Sequence, residues 1–237
     1  MQTTIDKSGS FIASQFAASG EMHGRRGLSG PAITISHQTG AGAHEVAEAV
    51  ADLLQQSDSP GAQRWVVLDR QVVEQALEEH HWPRQLAKKM PEDKRSYVDD
   101  ILDDLFGLRP PSWVLVPQVV ETMLRLAEAG HVVLIGRGAT VVTARLPNVF
   151  HVRLVASMSA RIGRVQALRN LTLEEATRFV EKEDRARQRY VRANFHARLD
   201  DESLYDLVVN TDRLSFHEAA YLIAKGASRY FQRAKGT

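Results

Sequence analysis

Two glycines one residue apart, Gly40 and Gly42, follow a short apolar, β-branched run (Ala32-Ile33-Thr34-Ile35-Ser36) and precede a helical pattern that starts at His44. The chemistry open to such a stretch is phosphate binding. The glycines allow a tight turn and leave backbone N–H groups uncovered, and these donors meet an anion together with the positive end of the helix dipole. Gln38, Thr39, Gly40, Ala41, Gly42, Ala43, His44 and Glu45 are therefore the candidate phosphate cradle. The full phosphate-loop pattern, Gly-x-x-x-x-Gly-Lys-Ser/Thr, is not met. With Gly42 as its second glycine, His37 stands at the first, Ala43 at the lysine and His44 at the hydroxyl position. A dinucleotide pattern, Gly-x-Gly-x-x-Gly, fails at its third position, which is Glu45.

Other residues with chemical potential lie farther along. Asp69 ends the apolar run Trp65-Val66-Val67-Leu68. It could accept a hydrogen bond from a substrate hydroxyl or lie near a metal, and it could equally cap a helix over 70–80. Arg70 beside it could meet a substrate phosphate. Arg137, between Gly136 and Gly138, offers a planar donor fork suited to phosphate, or simply an exposed turn arginine. On a helix over 173–195, at about 100° per residue, Asp184 and Arg187 share the face of Leu173, Ala176, Val180 and Val191. Charges on an apolar face must pair or face a ligand, so the two form an i,i+3 pair or a site directed at polyphosphate. Arg178, Lys182, Arg185, Arg189 and Arg192 form the opposite ridge. Without interleaved aromatics or a basic tail this ridge reads as solvated, which argues against nucleic acid. No His-Glu-x-x-His or Gly-x-Ser-x-Gly pattern occurs, so no metal ligand is assigned and no serine hydrolase is implied.

The elements that must position these residues are legible from periodicity. Apolar strands are expected at 32–36, 65–68, 131–135, 149–155 and 207–210, with helices at 44–56, 71–80, 84–107, 113–129, 158–169 and 173–195 and a last one after Ser215. Ser157 is a plausible N-cap, and Thr172/Glu175 and Ser215/Glu218 have capping-box spacing. Short apolar strands alternating with helices predict an α/β fold, a doubly wound parallel sheet covered on both faces, with ligands beyond the strands' carboxyl ends. Residues 1–30, rich in Ser, Gly and Ala, read as an extension or linker before a single domain over 31–237.

Bulk properties narrow the class. The 237 residues are 43% hydrophobic and 25% charged with a net charge of +1, as in an ordinary globular protein. Residues 71–106 carry nine acidic and five basic side chains, whereas 151–198 carry eleven basic and five acidic ones, which points to an anionic ligand in the second half. There is no cysteine, no signal pattern and no apolar run near the roughly 18–20 residues of a membrane span, and a cytoplasmic location is expected.

These pieces together resemble the cytidylate kinase-like family, a branch of the P-loop nucleoside monophosphate kinases. The likeness runs from about Ile33 to Ile223. It rests on Ile33-Thr-Ile-Ser-His-Gln-Thr-Gly-Ala-Gly42, Leu68-Asp69-Arg70, Leu134-Ile-Gly-Arg137-Gly-Ala and Val152-Arg-Leu-Val-Ala with Arg161. Asp184-x-x-Arg187-x-x-Tyr190 and Tyr205-Asp-Leu-Val-Val-Asn-Thr211-Asp complete it. The resemblance implies a five-stranded P-loop kinase core, an acceptor-side helical insertion over 71–111 and an arginine-bearing lid over 158–198. It implies ATP and Mg²⁺ as cofactors and a small-molecule acceptor. Asp69, Arg70 and Arg137 would bind the acceptor, and Arg187 with Asp184 would close on the transferring phosphoryl group. Because Ala43 replaces the loop lysine, three functions stay open: a kinase, a nucleotide-binding module without catalysis, and a nucleic-acid binder using the 178–192 ridge.

Overall fold

The computed structural model describes residues 30–69, 116–136 and 138–234. Its strands are β1 (Ala32–His37), β2 (Val66–Asp69), β3 (Val132–Ile135), β4 (Val149–Val155) and β5 (Leu207–Asn210). They pair in parallel in the order β2-β3-β1-β4-β5. The chain passes from β1 to one edge, returns through β3 and then crosses to β4. The carboxyl end of β1 is thus the topological switch point, where open α/β sheets hold their ligands.

Both faces of the sheet are apolar because parallel strands joined by helical crossovers are covered on each side. Ile33, Ile35, Val133, Ile135, Val152 and Leu154 pack on one face against α1 (Ala43–Ser57) and the last helix, α6 (Phe216–Ala234). Ala32, Val132, Leu134 and Val149 pack on the other against α2 (Val116–Ala129), α3 (Ala139–Val142) and the end of α5 (Leu173–Phe195). A small third cluster, Ile162 and Val165 with Ala176 and Val180, joins α4 (Met158–Arg169) to α5 as an antiparallel helical hairpin. The five parallel strands and the helices on both faces match the expected doubly wound fold.

The expected caps form. Ser157 accepts from the Ala160 N–H, and Thr172 with Glu175 makes a reciprocal capping box. Ser215 and Glu218 bond reciprocally before α6. Some boundaries differ from the sequence pattern. β1 runs one residue further, to His37, β2 starts at Val66, and β3 starts at Val132 because His131 has a left-handed φ of 54°. Trp65 is buried but tied off: its N–H donates to Gln55 and its indole to Asp58. The four-residue α3 and a 3-10 turn at Glu202–Leu204 carry no periodic signal and were not anticipated. The extension at 1–30, Arg70, the helices at 71–80 and 84–107, the 71–111 insertion and Arg137 lie outside the described residues. Among those described, no helix is long and apolar enough to cross a membrane.

Asn148 fastens the amino-end loops. Its amide donates to the carbonyls of Gly30 and Ala127, at 2.7 and 2.8 Å. Asn148→Ala leaves both acceptors without that donor and is expected to cost about 1–3 kcal/mol, read from the midpoint of denaturant unfolding.

Candidate functional site

The loop at the carboxyl end of β1 is held from outside by its carbonyl groups. Arg187 of α5 donates to the carbonyl of His37 at 2.9 Å. Arg161 of α4 donates to that of Thr39 at 3.2 Å, and Arg164 to that of Gly40 at 3.3 Å. The buried Thr211 hydroxyl donates to the carbonyl of Ala41 at 3.1 Å. The carbonyl of Gln38 accepts from the Ala41 N–H at 3.0 Å. Every carbonyl from 37 to 41 is therefore engaged within the protein.

The amides divide differently. Gln38 N–H bonds to Leu154, Ala41 N–H closes the turn on Gln38, and Thr39 N–H donates to Asp184 Oδ1 at 2.8 Å. Among the described residues, no group accepts from the N–H of Gly40, Gly42, Ala43, His44 or Glu45. Gly42 is the N-cap of α1, with φ of 78° and no side chain to close the helix end. This leaves the first-turn donors of a 15-residue helix open, the arrangement that receives an anion.

Asp184 binds three partners. Besides Thr39, its Oδ2 accepts from Arg161 at 2.6 Å and its Oδ1 lies 3.4 Å from Arg187 Nη1. Arg187 also donates to Thr39 Oγ1 at 3.2 Å. The side chains of Arg161 and Arg187 are only 6% and 12% exposed, so this is a largely buried cluster. Burial alone would raise the Asp184 carboxyl, but the hydrogen bonds from Thr39 and the charge of Arg161 outweigh it and hold it below the usual carboxylate value. Its stabilising contribution is thus present above the usual carboxylate range and lost as acid carries the pH below its folded value.

His37, in the position of the pattern's first glycine, is neutral. Burial, and next the Arg187 guanidinium, push its imidazole down to about 3, and its Nδ1–H donates to the carbonyl of Gln38. Between that value and the ordinary 6.5 the unfolded chain takes up a proton that the folded loop refuses, so stability falls as the pH drops.

The sequence candidates meet different fates. Gln38, Thr39, Gly40, Ala41, Gly42 and Ala43 form the loop and helix start, with Asp184 and Arg187 packed against them. The Gln38 side chain is not turned outward, because its Oε1 accepts from Ala156 N–H. His44 and Glu45 are exposed on the first turn of α1, and His44 Nε2 lies 3.9 Å from Glu48 on the same helix. The positive charge closest to the loop backbone belongs to arginines of α4 and α5, not to His44. Asp69 ends β2, two strands away from β1. The outer ridge of α5 is partly self-neutralised, since Arg178 and Arg185 pair with Glu174 and Glu181 one turn back. Sequence reasoning missed Arg164 and Thr211 as loop supports. The available signal was Arg164 at i+3 from Arg161 on α4, and a threonine directly after a strand.

Two outcomes are expected. Gly42→Ala places a methyl group 2.3 Å from the Phe216 ring at a left-handed φ, and should cost about 1–3 kcal/mol in thermal or denaturant unfolding. His37→Gln should flatten the fall in stability between pH 6.5 and about 3 that the wild type shows in acid titrations of its unfolding.

A solved structure of an uncharacterized protein from Eubacterium ventriosum has a TM-score of 0.66 at 15% identity, covering 84% of this chain and 98% of that one. A gluconokinase from Sinorhizobium meliloti has a TM-score of 0.47 at 15% identity, covering 89% and 98% of the two chains. A shikimate kinase from Bacteroides thetaiotaomicron has a TM-score of 0.43 at 14% identity, covering 86% and 98%. No curated protein matches in sequence. The model of the cytidylate kinase-like family matches residues 32–213, from the first residue of β1 past the last strand, and the chain belongs to that family.

Proposed function

We propose that this protein is a phosphotransferase that takes ATP with Mg²⁺ as donor and a nucleoside monophosphate or similarly small molecule as acceptor. One observation carries the reading. The loop after β1 has all its carbonyls from 37 to 41 bound by the protein, while the N–H groups of Gly40 and residues 42–45 stay open. Arg161, Arg164 and Arg187 surround that loop, with Asp184 bound to the first and last of them and Glu45 on the first turn of α1. Open donors inside an excess of positive charge fit a polyphosphate.

Phosphoryl transfer asks mainly for positioning and charge neutralisation, which such an arrangement supplies. Here Arg187 stands in for the missing lysine, its orientation fixed by Asp184. Asp69, at the end of β2, holds the acceptor together with Arg70 and Arg137. Among the described residues no group of three or more acidic or histidine side chains could hold a metal ion. That fits Mg²⁺, which is bound by one or two carboxylates together with substrate phosphates, so the ion arrives with the nucleotide. When bound, it neutralises the phosphate oxygens. A reaction of this kind belongs in the cytoplasm, where ATP is supplied.

A second reading, nucleotide binding without catalysis, is favoured by Ala43 and by Asp184 occupying the Thr39 amide. The two separate experimentally. With ATP-Mg²⁺ and a panel of nucleoside monophosphates, the phosphotransferase forms ADP, and Arg187→Met lowers kcat/KM by about 100-fold or more. ATP binding without turnover, together with activity gained by Ala43→Lys, identifies the non-catalytic module. Failure to bind any nucleotide eliminates both.

A further inference from the structure

Arg153 stands out from the other arginines near the loop. It lies inside β4, the one charged residue of that strand, directly in register with Ser36 of β1. It is only 9% exposed. Its Nη1 donates to Ser36 Oγ at 2.7 Å, and its guanidinium carbon lies 5.7 Å from the centre of the Tyr205 ring. The Tyr205 hydroxyl donates to the carbonyl of Leu199 at 3.0 Å and lies 3.3 Å from Ser36 Oγ, which fixes this wall of the site.

Its surroundings do not cancel its charge. Arg161 and Arg187 both reach Asp184, and Arg164 uses its donors on Gly40 and Thr211. Arg153 has no carboxylate within ion-pair distance among the described residues. Asp200, whose carboxyl feels Arg153 weakly, is exposed and already bound to Arg198. A guanidinium carries five N–H donors. Those of Arg153 not used on Ser36 have no acceptor among the described residues, yet none of its nitrogens is both buried and unsatisfied, so they open to solvent. A guanidinium only 9% exposed, held by a hydroxyl and an aromatic face and with no carboxylate at ion-pair distance among the described residues, keeps its full positive charge. An anion from outside would offset it.

We propose that Arg153, with Ser36 and Tyr205, forms a second oxyanion position beside the loop, which takes a phosphate group of a nucleotide substrate. This rests on the phosphotransferase reading and adds to it a subsite on the α5 face of the sheet. The sequence marks the position only as a charge within an apolar strand. Its register partner Ser36 stands two residues before Gln38, so the guanidinium lies toward the same carboxyl end of the sheet as the loop with the open amides.

The test compares wild type, Arg153→Met and Arg153→Lys by calorimetric titration with inorganic phosphate, ATP and a nucleoside monophosphate, and by thermal unfolding with and without each. Arg153→Met should weaken binding of at least one nucleotide by about tenfold or more, with Arg153→Lys in between. Its ligand-free Tm should be unchanged or higher, because a buried charge without a counter-ion has gone, and the ligand-induced rise in Tm should shrink. Loss confined to ATP places the group on the donor, and loss confined to the monophosphate places it on the acceptor; either outcome supports the proposal. A lower ligand-free Tm with wild-type affinities would mean that Arg153 is a strut between β1 and β4, and would overturn the proposal while leaving the phosphotransferase reading intact. If the wild type binds none of the three ligands, both fall.

Discussion

The carboxylate of Asp184 is the interaction on which the site depends. It sits between the Arg161 and Arg187 guanidiniums and accepts the Thr39 N–H of the loop. A largely buried carboxylate is tolerated only when its charge and lone pairs are met, and here two cations and an amide meet them. The two arginines are held in return, and each places an N–H on a loop carbonyl. With its carbonyls drawn toward α4 and α5, the loop can offer only amides to a ligand. One carboxylate on a helix 145 residues further along the chain thus sets the polarity of the turn after β1.

The cations near this loop are placed differently from the lysine of the full phosphate-loop pattern. Lysine brings a mobile point charge from within the loop, whereas arginine brings a rigid planar fork that bonds in fixed directions. In this chain Ala43 carries no charge, and the cations stand on α4 and α5 with their donors on loop carbonyls. Loop and helical hairpin are therefore mechanically joined. The small cluster of Ile162, Val165, Ala176 and Val180 keeps the two helices together, so a shift of α5 is a shift of the groups that shape the loop. It also gives the site an acid limit. Asp184 must stay ionised to hold both guanidiniums, and a protonated His37 would be a buried charge facing that of Arg187.

Much of the architecture was legible because it is encoded locally. Runs such as Val132–Ile135 and Leu207–Asn210 are short, apolar and β-branched, and the helices between them carry an apolar stripe and recognisable caps. From that alternation a doubly wound parallel sheet follows, and so does the rule that its ligands gather at strand ends. α3 was not legible, since four residues cannot display a helical period, and it forms because Gly138 turns the chain after β3. The end of β1 at His37 was equally hidden, because its last residue is polar and is held by register with Leu154 of β4.

By itself, the sequence determined that Gly40 and Gly42 end a buried strand at a helix start, that no lysine follows them, and that Asp184 and Arg187 share the apolar face of α5. Those facts depend on residue type and on spacing within one element. Only the tertiary structure decided what these groups do to one another. It showed that Asp184 holds the Thr39 amide, that Arg164 and Thr211 secure Gly40 and Ala41, that His44 lies near Glu48 on its own helix, and that Arg153 lies buried beside Ser36 without a counter-ion among the described residues. The reason is physical. Direction and burial of a charged side chain are set by neighbours brought from distant parts of the chain, and no periodicity along a single strand or helix records which of its charges has met a partner.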